Sequence, residues 1–529
     1  MSSKVPTGAK AKSRRVAVDT SGDLVGKGLK ADAIGFKDSV VMGLASTAPA
    51  YSLAATLGYI ILEVGERAPA AIVLAFIPML FTSLAYRELN RAVPDAGTTF
   101  TWATKAFGPW VGWLGGWAVA VAGTIFLASA GEVAASYFYA AIGADSLAES
   151  KPAVVIGGVV VIAAMAYVSY RGIEVSKRVQ DVLIVLQFAA LALFAGILLF
   201  RAYSDNPEGG IRPSFEMLNI TGFDDRTALV SAIVLAVFLF WGWESTLSIN
   251  EETEDSDTVP GRAAVTSTVI LLLTYITVTI AVISYGGIGA GALDFSEEAI
   301  AAGAVDDVFS PLGEAALPAL LWMVLLAIVI SALSSTQTTI LPTTRGTLAM
   351  AVYRALPEQF AAVHPRYLAP SVSTIAMAFI AIVYYVIMSA ISSDVLSDTI
   401  TSIGLAITFY YALTGFACVW YFRRDLRASV RNFFIQGLMP FLGALALSFV
   451  FVQSAITYWD PAESVTSIGG VGTAFIVGIG SLLLGVVLMV IWSFFATAKP
   501  FFRSEALKRD TPVLVREDEH AIVKPHLTD

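Results

Sequence analysis

The chain has a single cysteine, Cys418, inside an apolar run, so neither an internal disulfide nor a cysteine metal cluster can form. Its three histidines, His364, His520 and His526, fall in a loop and in the C-terminal tail, too scattered for a histidine metal site. Charged residues are scarce at 14%, where a soluble domain carries about one quarter. No nucleotide-binding loop, nucleophile–base pair or nucleic-acid surface is legible, so no cofactor, no metal and no enzymatic activity are expected. The glycine-rich GGIGAG at 286–291 follows no strand and does not read as a dinucleotide loop.

What remains is apolar: 56% of the 529 residues are hydrophobic, gathered in runs of about 20. A run of that length crosses about 30 Å of hydrocarbon as a helix, so the chain reads as an all-α polytopic membrane protein in contact with the lipid bilayer. Twelve segments are expected, at 38–62, 69–90, 99–140, 153–170, 179–201, 227–250, 264–289, 313–355, 371–391, 398–422, 434–456 and 471–496. The third and eighth are too long for simple spans and should run on beyond the bilayer. Residues 1–37 read as a flexible, basic tail without the apolar core of a signal peptide, and 497–529 as a polar tail. All but five of the 33 lysines and arginines fall on the side of these tails, the exceptions being Arg67, Lys151, Arg201, Arg212 and Arg226. The positive-inside rule therefore puts both termini in the cytoplasm of a plasma-membrane protein.

Two segments carry breakers in mid-span. The first holds the small-residue run Ala45 to Ala50 with Pro49. The sixth reads Phe240-Trp241-Gly242-Trp243-Glu244 before a polar turn. Proline removes a backbone donor and glycine weakens a helix, and hydrocarbon tolerates freed backbone only beside protein or a water-filled cavity. Two interrupted helices five spans apart point to an inverted-repeat transporter with a midplane site.

Glu244 is the leading functional residue. An unpaired carboxylate at that depth must face a cavity, meet a cation or hold a proton, which suits proton coupling or an ammonium partner; the plainer alternative is a carboxyl that only anchors loop amides. Ser46, Thr47, Ala48 and Ala50 offer amides for a substrate carboxylate, or simply close helix packing. Phe238, Phe240, Trp241 and Trp243 form either a gate or stacking face over the substrate or lipid-facing and packing aromatics, and the carbonyls of residues 240–243, Gly242 among them, would face a substrate amine. Ser331, Ser334 and Ser335 in the eighth segment make a possible cation site with first-helix carbonyls, although such hydroxyls usually bond back to their own helix. Glu132 reads as a vestibule carboxylate, and Glu251, Glu252, Glu254, Asp255 and Asp257 as a solvated turn.

Three stretches resemble the amino acid–polyamine–organocation (APC) superfamily of permeases: ELNRAVPDAGTTFTWATKAFGPWVGWLGGW at 88–117, FWGWESTLSINEETEDSDTVPGRA at 240–263, and residues 330–370 with Arg345, Leu356-Pro357, His364 and Pro370. The resemblance covers most of 38–425. It implies two inverted five-helix repeats, here 38–201 and 227–422, two further helices at 434–496, and alternating access. It also implies an amino acid or amine as substrate, coupled to protons, sodium or exchange, and a role for Glu252 and Pro260 in an inner gate. The chain departs from the family pattern in two places. Pro49 stands where relatives use glycine amides to hold the substrate carboxylate. Gln187, aligned on Gly172 and Ser176, stands where some proton-coupled relatives carry a lysine, and glutamine cannot titrate. The reading is an amino acid importer; a polyamine importer, an amino acid exchanger, a passive channel and a membrane sensor are the alternatives.

Overall fold

The computed structural model describes residues 26–289, 293–296, 299–300, 305–392, 395–461, 466–512, 516–518 and 521–522. Residues 1–25, His520, His526, Glu297, Glu298 and the last two residues of the GGIGAG run lie outside the described residues. The protein is all-α and membrane-spanning. Ten described helical stretches are long and apolar enough to cross a bilayer. The first, Phe36–Ala92, joins a broken helix to its neighbour, and one further apolar helix, Arg226–Leu239, is only 14 residues long.

The principal helices are α1 (Phe36–Ser46), α2 (Pro49–Val64), α3 (Ala68–Ala92), α4 (Thr99–Phe107), α5 (Pro109–Ala141), α6 (Lys151–Tyr170), α7 (Ile173–Ser204), α8 (Arg226–Leu239), α9 (Val259–Gly286), α10 (Leu321–Val352), α11 (Ser371–Ile391), α12 (Val395–Tyr421), α13 (Met439–Thr457) and α14 (Thr473–Ser493). Their burial sorts them. The most apolar window of α12 is 72% buried and that of α5 67%, whereas α14 reaches only 22%, so α14 is peripheral and α5 and α12 are central. The main core runs from Leu44 on α1 to Leu447 on α13 and draws on α2, α3, α5, α8, α10 and α12 between them.

The sequence predicts one long third segment over 99–140, but the chain turns within it. Gly108, at φ 96°, lies in the left-handed region and Pro109 takes the first position of α5, so α4 and α5 are separate helices. The eighth segment does run on: the 32 residues of α10 span about 48 Å, well beyond a hydrocarbon core.

Both tails differ from expectation where they meet the helices. Residues 26–35 are not flexible but form a strap. The N–H groups of Ala33 and Ile34 donate to the Glu252 carbonyl at 2.9 and 3.0 Å, and Glu254 N–H donates to the Ile34 carbonyl at 2.9 Å. Lys27, Leu29 and Ile34 are buried. On the C-terminal side Phe501 stacks on Phe100 with ring centroids 5.5 Å apart. Lys105 there donates to the carbonyls of Lys508, Arg509 and Thr511, the first two at 3.3 and 3.1 Å. Apolar residues at Leu29, Ile34 and Phe501 hold each tail to the same face, and tail hydrophilicity averaged over the whole segment hides them.

Candidate functional site

The first break is built by four buried residues. α1 ends at Ser46, Thr47 turns, Ala48 adopts a left-handed φ of 48°, and Pro49 opens α2. Proline suits that position because the first-turn N–H would be unpaired anyway. The side chains of a third helix stitch the gap. Ser335 donates its hydroxyl to the Ser46 carbonyl at 2.7 Å, and Ser331 accepts the Tyr51 N–H at 3.1 Å. Ser334 turns instead to the side chain of Gln180 on α7. Ser331 and Ser335 therefore touch the break and Ser334 does not.

The amides of this break are mostly in use. Thr47 and Ala48 N–H both point to the Ala45 carbonyl, the latter at 3.3 Å, and Pro49 has no N–H. Ala50 is left as the first-turn amide of α2 with no acceptor among the described residues.

The second break follows α8. Residues 240–244 turn, and Ser245–Ser248 forms a single helical turn beyond them. Gly242 has φ 120°, a conformation side-chain-bearing residues rarely adopt. Glu244, 6% exposed, folds back so that its carboxyl accepts the Gly242 N–H at 3.0 Å. Tyr410 donates to its other oxygen at 2.5 Å, and Tyr411 donates to the oxygen that Gly242 also uses. Trp241 in turn donates its indole N–H to the Tyr410 hydroxyl at 2.5 Å. Three donors thus meet one carboxyl, and no lysine, arginine or histidine pairs with Glu244 among the described residues. Glu244 therefore anchors the loop amide and is also a buried acid with no cation partner among the described residues.

Around it the aromatics divide. Trp241 meets Phe126 edge-on at 5.0 Å and Phe238 in a stack at 6.5 Å, and Phe126 leads on to Tyr51 at 6.0 Å. These rings run as a chain from the second break to Tyr51, just past the first. Phe240 turns away to pack against Phe76 and Tyr275, and Trp243 lies between Tyr86 and Tyr411. Gln187 is fully buried, and neither polar atom of its side chain has a partner among the described residues.

A second cluster lies on the tail-bearing face. The acidic run after Glu244 is not a uniformly solvated turn: Glu254, Asp255 and Asp257 are exposed, but Glu251 and Glu252 are buried. Arg345 clamps Glu252 through Nε at 2.6 Å and Nη2 at 3.0 Å. Lys27 sits between Asp95, at 2.8 Å, and Glu251. Tyr353 also donates to Asp95, at 2.8 Å, and Ala96 N–H donates to Glu251 at 2.9 Å. Burial opposes the charge on Lys27, but Asp95 and Glu251 hold its ammonium and raise its pKa. Burial likewise opposes ionisation of Asp95, and Lys27 with the Thr101 hydroxyl and the Gly97 N–H nonetheless holds that carboxyl below its ordinary value. For Glu251 burial wins over Lys27, with Asp95 adding to it, and the carboxyl is pushed up to about 7.

Residues 34–501, nearly the whole chain, match the family model described as amino acid permease. The chain belongs to that family. The permease is 26% identical over 227 residues to the low-affinity putrescine importer PlaP of Escherichia coli, an alignment covering 42% of this chain and 47% of the relative. It is 26% identical over 215 residues to the branched-chain amino acid permease BcaP of Lactococcus lactis, covering 38% and 45%. It is 24% identical over 231 residues to the arginine/ornithine antiporter ArcD2 of the same species, covering 39% and 44%. The chain thus spans about half the length of these curated relatives. The two breaks lie deep in the helical core.

Sequence reasoning missed Tyr410 and Tyr411, although two adjacent tyrosines in an apolar run are a legible signal for a buried polar partner. It also missed Lys27, whose pairing with Asp95 and Glu251 no local pattern announces.

Proposed function

We propose that this permease imports an amino acid across the plasma membrane by alternating access, with Glu244 coupling protonation to closure. The observation that carries the reading is the carboxyl of Glu244, buried inside one helix break with three hydrogen-bond donors and no cation partner among the described residues, while the N-terminus of α2 lies at the other break. An anionic group is favoured at that N-terminus, where Ala50 N–H is unused. An ammonium is favoured by the Glu244 carboxyl, by backbone carbonyls of 240–243 and by the wall of Trp241, Phe126 and Tyr51. An amino acid carries both charges.

The fold is read as two inverted five-helix repeats, 38–201 and 227–422, followed by two further helices at 434–496, with both termini cytoplasmic. In this arrangement the Phe238–Trp241 stack closes the path on the side away from the tails, and the Lys27 and Arg345 clusters close it on the tail side. Ser331, Ser335 and the Ser46 carbonyl supply oxygens for a sodium ion in a sodium-coupled version of the cycle.

The second reading is a diamine importer. The name of the putrescine-importing relative and the aromatic wall beside Glu244 favour it. Uptake of labelled amino acids and of putrescine into proteoliposomes, under a pH gradient, a sodium gradient or neither, separates the readings. Accumulation of an amino acid under the pH gradient is expected. No accumulation of any compound under any gradient would sink the importer.

A further inference from the structure

Away from the breaks, on the face opposite the tails, a cavity of about 550 Å³ opens between α2, α8, α12 and α13. This is the size of a small-molecule site. Its lining is layered. At the ends of α2 and α8 stand Glu63 and Arg226, with Asp306 beside them. Arg226 is exposed and has no ion-pair or hydrogen-bond partner among the described residues. Lower down come hydroxyls such as Ser231 and Thr56, and then an apolar floor that includes Leu235. From Arg226 to Leu235 is nine residues of α8, about 13 Å of depth. Below the floor a narrower space of about 30 Å³ continues past Leu235 to Phe238, the ring that stacks on Trp241.

We propose that this cavity is an outer waiting site that binds zwitterionic amino acids before they reach the breaks, and that it selects them over diamines. Both signs of charge stand at one mouth. Arg226 takes the α-carboxylate in the planar, two-point manner of a guanidinium. Glu63 and Asp306 take the α-ammonium. The side chain of the ligand points down toward Leu235, which favours uncharged or apolar amino acids. A diamine has no carboxylate for Arg226 and meets its positive charge instead. The inference rests on the import reading, because a waiting site has a use only where a path continues below it. The Phe238–Trp241 stack forms the floor that must move to let the ligand pass.

The test uses the full-length protein with a reporter cysteine, because Cys418 is fully buried and leaves a clean background. Ser231→Cys, with Thr457→Cys as a second reporter should the first fold poorly, is labelled on intact cells with a membrane-impermeant maleimide. Glu244→Gln is included to weaken ammonium binding at the central site. Millimolar L-leucine, L-alanine or L-glutamine is expected to slow labelling at least about fivefold, and putrescine is not. Adding Arg226→Gln is expected to raise the half-protecting concentration by about tenfold, as loss of one charge-assisted contact would. No labelling from outside, no protection by any of the three amino acids, equal protection by putrescine, or protection that survives Arg226→Gln would each overturn the proposal. Failure of the import reading looks different: wild-type proteoliposomes would accumulate nothing while the cysteine remained protected.

Discussion

Gly242 lies against the carbonyl of Ser46, so that a Cβ added there would stand 2.6 Å from that oxygen and 3.0 Å from the Thr47 nitrogen. The two helix breaks are thus in direct contact, and the residue at the contact has φ 120°. Space and backbone conformation both require glycine. Gly242→Ala would force the breaks apart and strain the turn by about 1–3 kcal/mol. Uptake is expected to fall at least about tenfold, with a lowered Tm. Gly196→Ala in α7, where an added Cβ meets nothing within 4 Å, is the matched control and should be neutral or slightly stabilising. Wild-type transport by Gly242→Ala would show that the breaks need not touch.

Glu244 and its two tyrosines make separable contributions. Tyr411→Phe removes one donor from a buried carboxyl and is expected to cost about 1–3 kcal/mol, read as a lower Tm and reduced uptake with its pH dependence kept. Glu244→Gln keeps the size of the side chain and removes the proton-binding group. Its uptake profile between pH 5.5 and 8 is expected to be flat. If the variant followed the wild-type profile, Glu244 would be a loop anchor and a substrate contact but no part of proton coupling.

The Arg345–Glu252 clamp is a two-point ion pair with both side chains almost fully buried, 1% and 0% exposed. Breaking such a pair from one side leaves an uncompensated charge and typically costs about 3–5 kcal/mol, whereas replacing both members with apolar residues is often tolerated. Glu252→Gln and Arg345→Gln alone should therefore express poorly or melt early. Glu252→Leu combined with Arg345→Met should recover thermal stability. Recovered stability without recovered uptake would mark the pair as part of a gate, and recovery of both would leave it as packing glue.

The legibility of this chain in its sequence follows from the range of the forces involved. Helices set by 20-residue apolar runs, and breaks set by Pro49 and Gly242, depend on neighbours in sequence and were readable there. The division of the third segment was missed although Gly108-Pro109 is a local stop, because the surrounding apolar run masks it. What could not be read is pairing over distance. Lys27 meets Glu251 across 224 residues, and Tyr410 meets Glu244 across 166. A lysine in a polar tail looks solvated until two carboxylates on other elements are placed around it. The same holds for the acidic run after Glu244, whose first two members are buried only because Lys27 and Arg345 reach them.

Glu251 gives that cluster a pH signature. Its carboxyl is raised to about 7, chiefly by burial, from the 4.5 of a free glutamate. The folded chain therefore holds this proton more tightly than the unfolded chain does. The resulting stabilisation is fully present below pH 4.5 and is lost as pH rises toward 7, above which both states are ionised. Asp95 works in the opposite sense and lower down. Its carboxyl is depressed in the folded state, so its contribution is lost only as pH falls below the ordinary aspartate range. Between pH 4.5 and 7 the Glu251 effect is therefore read without interference from Asp95. Melting of the detergent-solubilised protein across that window should show wild type losing more stability with rising pH than Glu251→Gln, which has no proton to give up. Lys27 keeps Asp95 as a partner in the variant, so the strap stays tied and the comparison reports titration instead of detachment. Parallel melting curves for the two proteins would mean that Glu251 stays ionised beside Lys27 throughout, with the ion pair outweighing burial.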